Sequence, residues 1–365
     1  MKILLIDNSS LTPVYGVLCC EPKTGDFARE LKDLGNQVTM YGQVVSNDNN
    51  IHAFDIKGNG VGVIGYSRLK YKIINYVFLY LFVIPQILKN DFVYIFYPSA
   101  FKYTAILCWL LGKPYGLYVR GQNDLDSKSS KFIYKKSKVI FTVTDHFTHY
   151  IRELSFKKSV FSIKPMIDLD EKDIYYDRDF LRNDKFKILF LARIEKDKGI
   201  EEFIYAISKL SIQNKYKFEV DVVGEGSFLK NAIELSKKNN IDNIVNFKGA
   251  IFDKDIIKKI YTQSDIYVLP TYHEGFPRTL YEAMIFGTPI ITSFVGGISG
   301  IMINKYNCLE IKPKSVDSIL NALIYAFSNY NEMQAYAKNS FETVKPIISS
   351  SRQTHAQHLN MFIKK

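Results

Sequence analysis

The chain alternates short apolar runs with stretches whose apolar residues recur at helical spacing. Lys2–Ile6, Val38–Tyr41, Asp91–Phe96, Tyr115–Val119 and Val139–Val143 are short and apolar on both sides, the pattern of parallel strands covered by helices. Between them, Thr24–Gly35 places Phe27, Leu31 and Leu34 on one helical face and ends at Gly35, a favoured residue just past a helix. Phe101–Leu111 also reads as helical. Residues Lys164–Asp184 break the pattern: they are charged, interrupted by Pro165, and show no sustained period. They are expected to connect two domains.

A second α/β run follows. Its predicted strands are Lys187–Leu191, Glu219–Val223, Val245–Lys248, Ile266–Leu269 and Pro289–Thr292. Its predicted helices are Ile200–Leu210, Phe228–Asn239, Asp253–Gln263, Pro277–Phe286 and Val316–Ser328. Met333–Ile363 reads as helical with a break near Pro346. The pattern therefore predicts two α/β domains, with ligands expected in a cleft at the carboxyl ends of the strands. The expected boundaries are 1–165, a linker over 166–184, 185–340, and a terminal helix over 341–365.

One apolar run stands out. Ile73–Leu88 contains Asn75, Pro85 and Gln86 and is shorter than the ~20 apolar residues a spanning helix needs. Arg68, Lys70 and Lys72 precede it, so an interfacial helix on anionic lipid and a core helix with a solvated basic collar are both consistent.

Composition narrows the class. At 365 residues, with 47% hydrophobic and 23% charged residues, the chain is ordinary globular protein. The net charge of +11 suggests an anionic partner, and residues 1–170 carry +7 of it. The four cysteines have no metal-ligand spacing, which points to a reducing, cytoplasmic compartment. Met1–Asp7 reads as a buried strand rather than a signal peptide.

The candidate chemistry lies in the second run. After Ile266–Leu269 comes Pro270-Thr-Tyr-His-Glu-Gly-Phe-Pro-Arg-Thr, leading into a helix expected to start at Pro277. The amides of Arg278, Thr279 and Leu280 are then expected at a helix N-terminus, which favours phosphate. Gly275 lets a ligand approach the backbone. Glu274 and Glu282, eight residues apart, suit two sets of sugar hydroxyls better than one metal ion. After Lys187–Leu191, Arg193 and Lys198 sit where two cations would neutralise a diphosphate leaving group. Glycines follow two further strands, in Gly224-Glu-Gly226 and Gly296-Gly297.

In this order the pieces resemble glycosyltransferase family 4, the group 1 transferases of the GT-B fold. The matching features are Arg193-(x4)-Lys198-Gly199, Gly224-Glu-Gly226, Ser264-Asp265 with Pro270, Glu274-(x7)-Glu282, Gly287-Thr-Pro289 and Gly296-Gly297. They cover about Lys187–Pro313. The resemblance implies two Rossmann-like domains facing across a cleft, with the C-terminal helix packing back on the first domain, and a hexosyltransferase that uses a nucleotide diphosphate-sugar without cofactor or metal, with retention. Arg193 and Lys198 would hold the diphosphate, Glu282 the ribose hydroxyls, and Glu274 the donor sugar. Gly275, Phe276, Pro277, Arg278 and Thr279 would line sugar and phosphate, Gly224 and Gly226 the nucleotide side, and Gly16 would approach the phosphate from the first domain. The expected acceptor is a polyprenyl-diphosphate-linked surface oligosaccharide, such as O-antigen or capsule, met at the anionic inner face of the cell membrane.

The resemblance departs at three places. Arg120 stands where the family often has a histidine after Tyr115–Val119, and Arg cannot act as a neutral proton acceptor. Arg120, Asn123 and Asp124 are therefore read as acceptor-side contacts. Only Gly16 is found near the first loop, and no acidic residue follows Gly296-Gly297. Asp124-Leu-Asp126 and Asp168-Leu-Asp170 have the form of a metal-binding triplet but lie in polar loops, and His146 and His149 lack a third ligand. A nucleotide-sugar epimerase on the same fold is the enzymatic alternative. Nucleic-acid binding lacks a basic stripe with interleaved aromatics or a helix-turn-helix. A dinucleotide oxidoreductase lacks a GxGxxG after a strand.

Overall fold

The computed structural model describes residues 1–7, 10–45, 52–98, 101–121, 125–180 and 185–364. Contacts divide the chain into two units: residues 1–167 with 352–365, and residues 168–351.

The first unit contains β1 (Lys2–Ile6), β2 (Thr12–Val14), β3 (Val17–Cys20), β4 (Gln37–Val44), β5 (Phe54–Asp55), β6 (Gly62–Ser67), β7 (Phe92–Tyr97), β8 (Tyr115–Val119), β9 (Val139–Thr142) and β10 (Val160–Ser162). Its helices are α1 (Pro22–Asp33), α2 (Lys72–Lys89), α3 (Thr104–Leu110), α4 (Lys128–Lys136) and α5 (Asp145–Ser155). Seven strands form a parallel sheet in the order β10-β9-β8-β7-β1-β4-β6. Every residue of β7, β8 and β9 is buried, because each face of the sheet carries its own apolar layer. α1 begins where the Glu21 side chain accepts from the Thr24 amide, and it ends before Gly35 at φ +89°.

β2, β3 and β5 form a small antiparallel sheet that the sequence pattern does not predict. The β2–β3 turn is Tyr15-Gly16, both at positive φ, as a two-residue hairpin requires. Gly16 thus sits at a hairpin tip rather than in an open loop.

The second unit contains β11 (Phe186–Leu191), β12 (Phe218–Val223), β13 (Val245–Phe247), β14 (Ile266–Leu269), β15 (Ile290–Ser293) and β16 (Leu309–Ile311). Its helices are α6 (Ile200–Ile212), α7 (Leu229–Lys238), α8 (Lys254–Gln263), α9 (Arg278–Ile285), α10 (Val316–Ser328) and α11 (Tyr330–Ile348). The sheet is parallel, in the order β13-β12-β11-β14-β15-β16. Both units are therefore Rossmann-like, with the strand order reversing at β1/β7 and at β11/β14.

The stretch expected to be a linker is partly built into this unit. Tyr175 donates its amide to the Ile285 carbonyl at 2.9 Å. The buried Arg178 guanidinium donates to the carbonyls of Tyr261 (2.9 Å), Phe286 (3.1 Å) and Ser264 (2.5 Å). These carbonyls lie at the C-terminal ends of α8 and α9, which an intrahelical ladder leaves unsatisfied. Residues 181–184 lie outside the described residues.

The expected single terminal helix over 341–365 is divided. α11 runs through Pro346 to Ile348, since a proline two residues from the end costs only one hydrogen bond of the last turn. Residues 341–351 stay with the second unit, and α12 (His355–Ile363) packs with the first, against α1. A capping box between Thr354 and Gln357 starts α12.

Candidate functional site

In the second unit the two central strands point their carboxyl ends at the switch between β11 and β14, where α/β sheets bind ligands. The loop after β11 carries Arg193 and a 3-10 turn, Lys196–Lys198. The loop after β14 carries Thr271–Pro277. Backbone and side chain lace them together: the Tyr272 amide donates to the Asp197 carbonyl at 2.8 Å, and the Thr271 hydroxyl to the same oxygen at 3.2 Å.

This lacing brings Lys198 to Glu274. The ammonium lies 2.5 Å from Glu274 Oε1 and 3.2 Å from Asp197 Oδ2, and the lysine is only 6% exposed. A buried ammonium is tolerated because carboxylates surround it. His273 Nε2 is 3.6 Å from the other side of the cluster, at Asp197 Oδ2. Arg193, in contrast, is exposed.

The glycines after β12 have a local reason. Gly224 is at φ +138°, and a Cβ there would lie 1.9 Å from the Ala192 carbonyl oxygen. At Gly226 the clash would be with the Ile194 carbonyl, at 2.4 Å. The two loops can therefore touch, and the Ile194 amide donates to the Glu225 carbonyl at 2.8 Å. Gly224 and Gly226 thus shape the loop that holds Arg193.

α9 starts one residue later than the sequence suggests. Pro277 is its N-cap residue, with extended ψ of 138° and no side-chain cap. Of the three amides expected at its N-terminus, that of Leu280 is consumed by the Pro277 carbonyl at 3.1 Å, as a first turn tightened to i→i−3 requires. Arg278 and Thr279 head the helix; Gly275 and Phe276 are buried just before it.

Two buried tyrosines hold α9, one from the sheet and one from α8, and neither is singled out by the sequence pattern. Tyr267, on β14, donates to Leu191 O (3.1 Å) and accepts from the Thr279 hydroxyl (2.7 Å), so one phenol joins the end of β11 to the first turn of α9. Tyr261, on α8, reaches Glu282 Oε2 at 3.0 Å. An apolar strand alternation gives no sign of where a tyrosine hydroxyl will end. Burial pushes the Glu282 carboxyl up to about 7, opposed by the Tyr261 hydrogen bond and the Arg278 charge.

An acid whose folded pKa lies above its unfolded value, here near 4.5, binds its proton more tightly when folded. That contribution to stability is full below the unfolded value and is lost as pH rises towards 7. Glu282→Gln is therefore expected to gain stability over wild type from about pH 5 to about pH 8, by on the order of 2–3 kcal/mol at the upper end. Thermal melts of both proteins across this range check it; a constant gap contradicts it.

In the first unit, Arg120 follows β8 and lies 3.6 Å from Asp7 Oδ1, at the end of β1. Its guanidinium also stacks over Phe96, 4.9 Å from the ring centre. Asn123 and Asp124 lie outside the described residues. The metal-like triplet at Asp168–Asp170 is otherwise employed: Asp168 pairs with Lys254 at 3.0 Å, and Asp170 caps a 3-10 turn over Glu171–Asp173. His146 and His149 are both exposed on α5. Among the described residues no three histidines, cysteines or carboxylates gather as a metal site.

Comparison with known proteins shows what this geometry is similar to. Residues 172–343 match the family described as "Glycosyl transferases group 1". An uncharacterized glycosyltransferase of Methanocaldococcus jannaschii is 29% identical over 164 residues, 45% of this chain and 41% of that protein. The capsular polysaccharide biosynthesis glycosyltransferase CapM of Staphylococcus aureus is 30% identical over 131 residues, 34% of this chain and 32% of that protein. The matches thus span well under half of those relatives' length. Among solved structures, HepE from Anabaena in complex with UDP superposes with a TM-score of 0.68, covering 100% of this chain and 98% of that one at 16% identity. The fold is that of the GT-B glycosyltransferases, and residues 172–343, just under half of the chain, are similar to the group 1 glycosyltransferases.

Proposed function

We propose that the chain transfers a sugar from a nucleotide diphosphate-sugar to a hydroxyl of a lipid-linked surface oligosaccharide. The observation that carries this reading is the buried Lys198–Glu274 pair at the strand switch, beside the N-terminus of α9. As the bond from the sugar's anomeric carbon to the diphosphate breaks, charge grows on the leaving oxygens. Lys198, Arg193 and the first amides of α9 stabilise that charge without further reorganisation. Glu274 contacts the donor sugar, and Glu282, anchored by Tyr261, accepts from the ribose hydroxyls. Gly275, Phe276, Pro277 and Thr279 line the donor.

We favour same-face attack with retention: the acceptor oxygen bonds to the anomeric carbon, and its proton passes to the departing phosphate oxygen. Neutralisation by lysine, arginine and amides leaves no step that needs a metal ion. Arg120 fits an anionic or hydroxylic acceptor, since a guanidinium donates and does not accept. The acceptor we favour is polyprenyl-diphosphate-linked, as in capsule or O-antigen assembly, at the cytoplasmic face of the cell membrane. The capsular relative and the basic first half support that choice.

The test is an assay of nucleotide release with UDP-, GDP- and dTDP-sugars, with and without polyprenyl-diphosphate-linked acceptor. Acceptor-dependent release with a labelled lipid product is expected. A changed nucleotide-sugar formed without acceptor would instead establish the epimerase reading.

A further inference from the structure

α2 buries Leu79, Val83 and Ile87 against the first sheet, a stripe with a period of four. Its opposite side is apolar too. Ile73 is 80% exposed, Leu81 55% and Val77 53%. α3 packs beside α2 and leaves Trp109 and Leu110 open. Residues 69–111 hold about half of the large apolar side chains that are exposed among the described residues. A monomer rarely shows a contiguous apolar surface of this kind without a partner for it. No helix among the described residues is long and apolar enough to cross a membrane.

Charge borders the apolar face. α4 packs beside α3 through Phe132, whose ring meets Trp109 at 5.0 Å, and Lys136 lies 5.6 Å over the Trp109 ring. Lys128, Phe132 and Lys136 are four residues apart and form one stripe along this border, with exposed Lys131 and Lys135 next to it. Exposed Arg68 and Lys70 precede α2. Residues 68–138 contain twelve basic and three acidic residues, a net +9 of the chain's +11. Apolar side chains flanked by lysine match the two layers of an anionic bilayer surface, acyl region and headgroup.

We propose that the α2–α3 face, with the lysine border of α4, docks the chain on an anionic lipid bilayer. This deepens the reading of a membrane-borne acceptor by assigning the surface that meets the lipid. The structure supplies a reporter, because Trp109 is the chain's only tryptophan.

The full chain is mixed with phosphatidylcholine vesicles, with or without phosphatidylglycerol, in the absence of donor and acceptor. Co-flotation and a blue shift of Trp109 emission are expected only with phosphatidylglycerol. Ile73→Asp with Val77→Asp should lower the floated fraction about tenfold or more. Lys131→Glu with Lys135→Glu should do the same. All four side chains are exposed, and unchanged melting curves would show that the variants fold. The proposal is overturned by a wild type that does not float, by equal binding to neutral vesicles, or by variants that float like wild type. It is also overturned by a wild-type dimer that Ile73→Asp with Val77→Asp turns into monomer, since a second copy would then own the face. Sugar transfer is read separately with a soluble acceptor analogue, so failure of docking and failure of transfer are distinguishable.

Discussion

Lys198→Ala is expected to lower kcat by about 10²–10³-fold while leaving the fold intact. The lysine is the one buried cation at the β11/β14 switch, and its ammonium is already fixed by Glu274 at 2.5 Å and Asp197 at 3.2 Å. A cation fixed in this way stabilises a developing diphosphate charge without waiting for solvent or side chain to move. Its removal leaves Glu274 and Asp197 facing each other, but both keep access to water, at 22% and 29% exposure, so the fold loses little. Lys198→Arg is not expected to restore turnover, because a planar fork does not fit a space built for a compact ammonium. Steady-state kinetics with the best donor, beside melting curves for each variant, check both statements. An alanine variant with wild-type kcat would remove Lys198 from the chemistry.

Arg178→Ala is expected to be the most destabilising single change discussed, by about 3–5 kcal/mol. The guanidinium satisfies carbonyl groups at the ends of both α8 and α9 and donates to Thr288 Oγ1 at 3.3 Å. Truncation would take this donor from the buried Ser264 and Phe286 carbonyls and leave a cavity among them. Burial pulls the guanidinium pKa below its ordinary value, and the nearby Tyr330 and Asp265 oppose this. Because α9 carries residues proposed to bind donor, a loosened Arg178 variant should also bind donor more weakly. The urea midpoint of the second unit is the direct readout. A midpoint unchanged from wild type would show that other groups hold the two helix ends.

These two residues illustrate what a sequence makes legible. Lys198 stands at a fixed distance after an apolar strand and before a glycine-opened helix, so strand–loop–helix punctuation alone places it at a carboxyl end. The same holds for Glu274, between the end of β14 and Pro277. Their contact is a different matter, because they are 76 positions apart and only the parallel pairing of β11 with β14 brings their loops together. Arg178 gave no local signal: it lies in a charged, aperiodic stretch that reads as a connector, and its partners are backbone carbonyls, which carry no residue signature. The β2–β3 hairpin was hidden because strands of three and four residues are too short for an alternation to register. In α2 the helix and its apolar character were legible from Ile73–Leu88. Which side faces outward was not, since both sides are apolar and only the packing of Leu79, Val83 and Ile87 decides it.

The Tyr261–Glu282 and Tyr267–Thr279 bonds add a level the motifs do not carry. They fix α9 against two neighbouring elements through phenols wholly enclosed by protein. The helix that carries Glu282 is therefore clamped, by tyrosines near its start and by Arg178 at its finish. Such rigidity suits the proposed diphosphate site, because small misplacements of its charges are costly.

A nucleotide diphosphate-sugar is expected to bind at the β11/β14 switch of the second unit. Isothermal titration calorimetry with UDP-, GDP- and dTDP-sugars, on wild type and Lys198→Ala, tests it most directly. At least one donor should bind wild type, and the variant should bind it at least about tenfold more weakly, a difference of ~1.4 kcal/mol. Absence of binding by all three donors, or equal affinity in the folded variant, would contradict the claim.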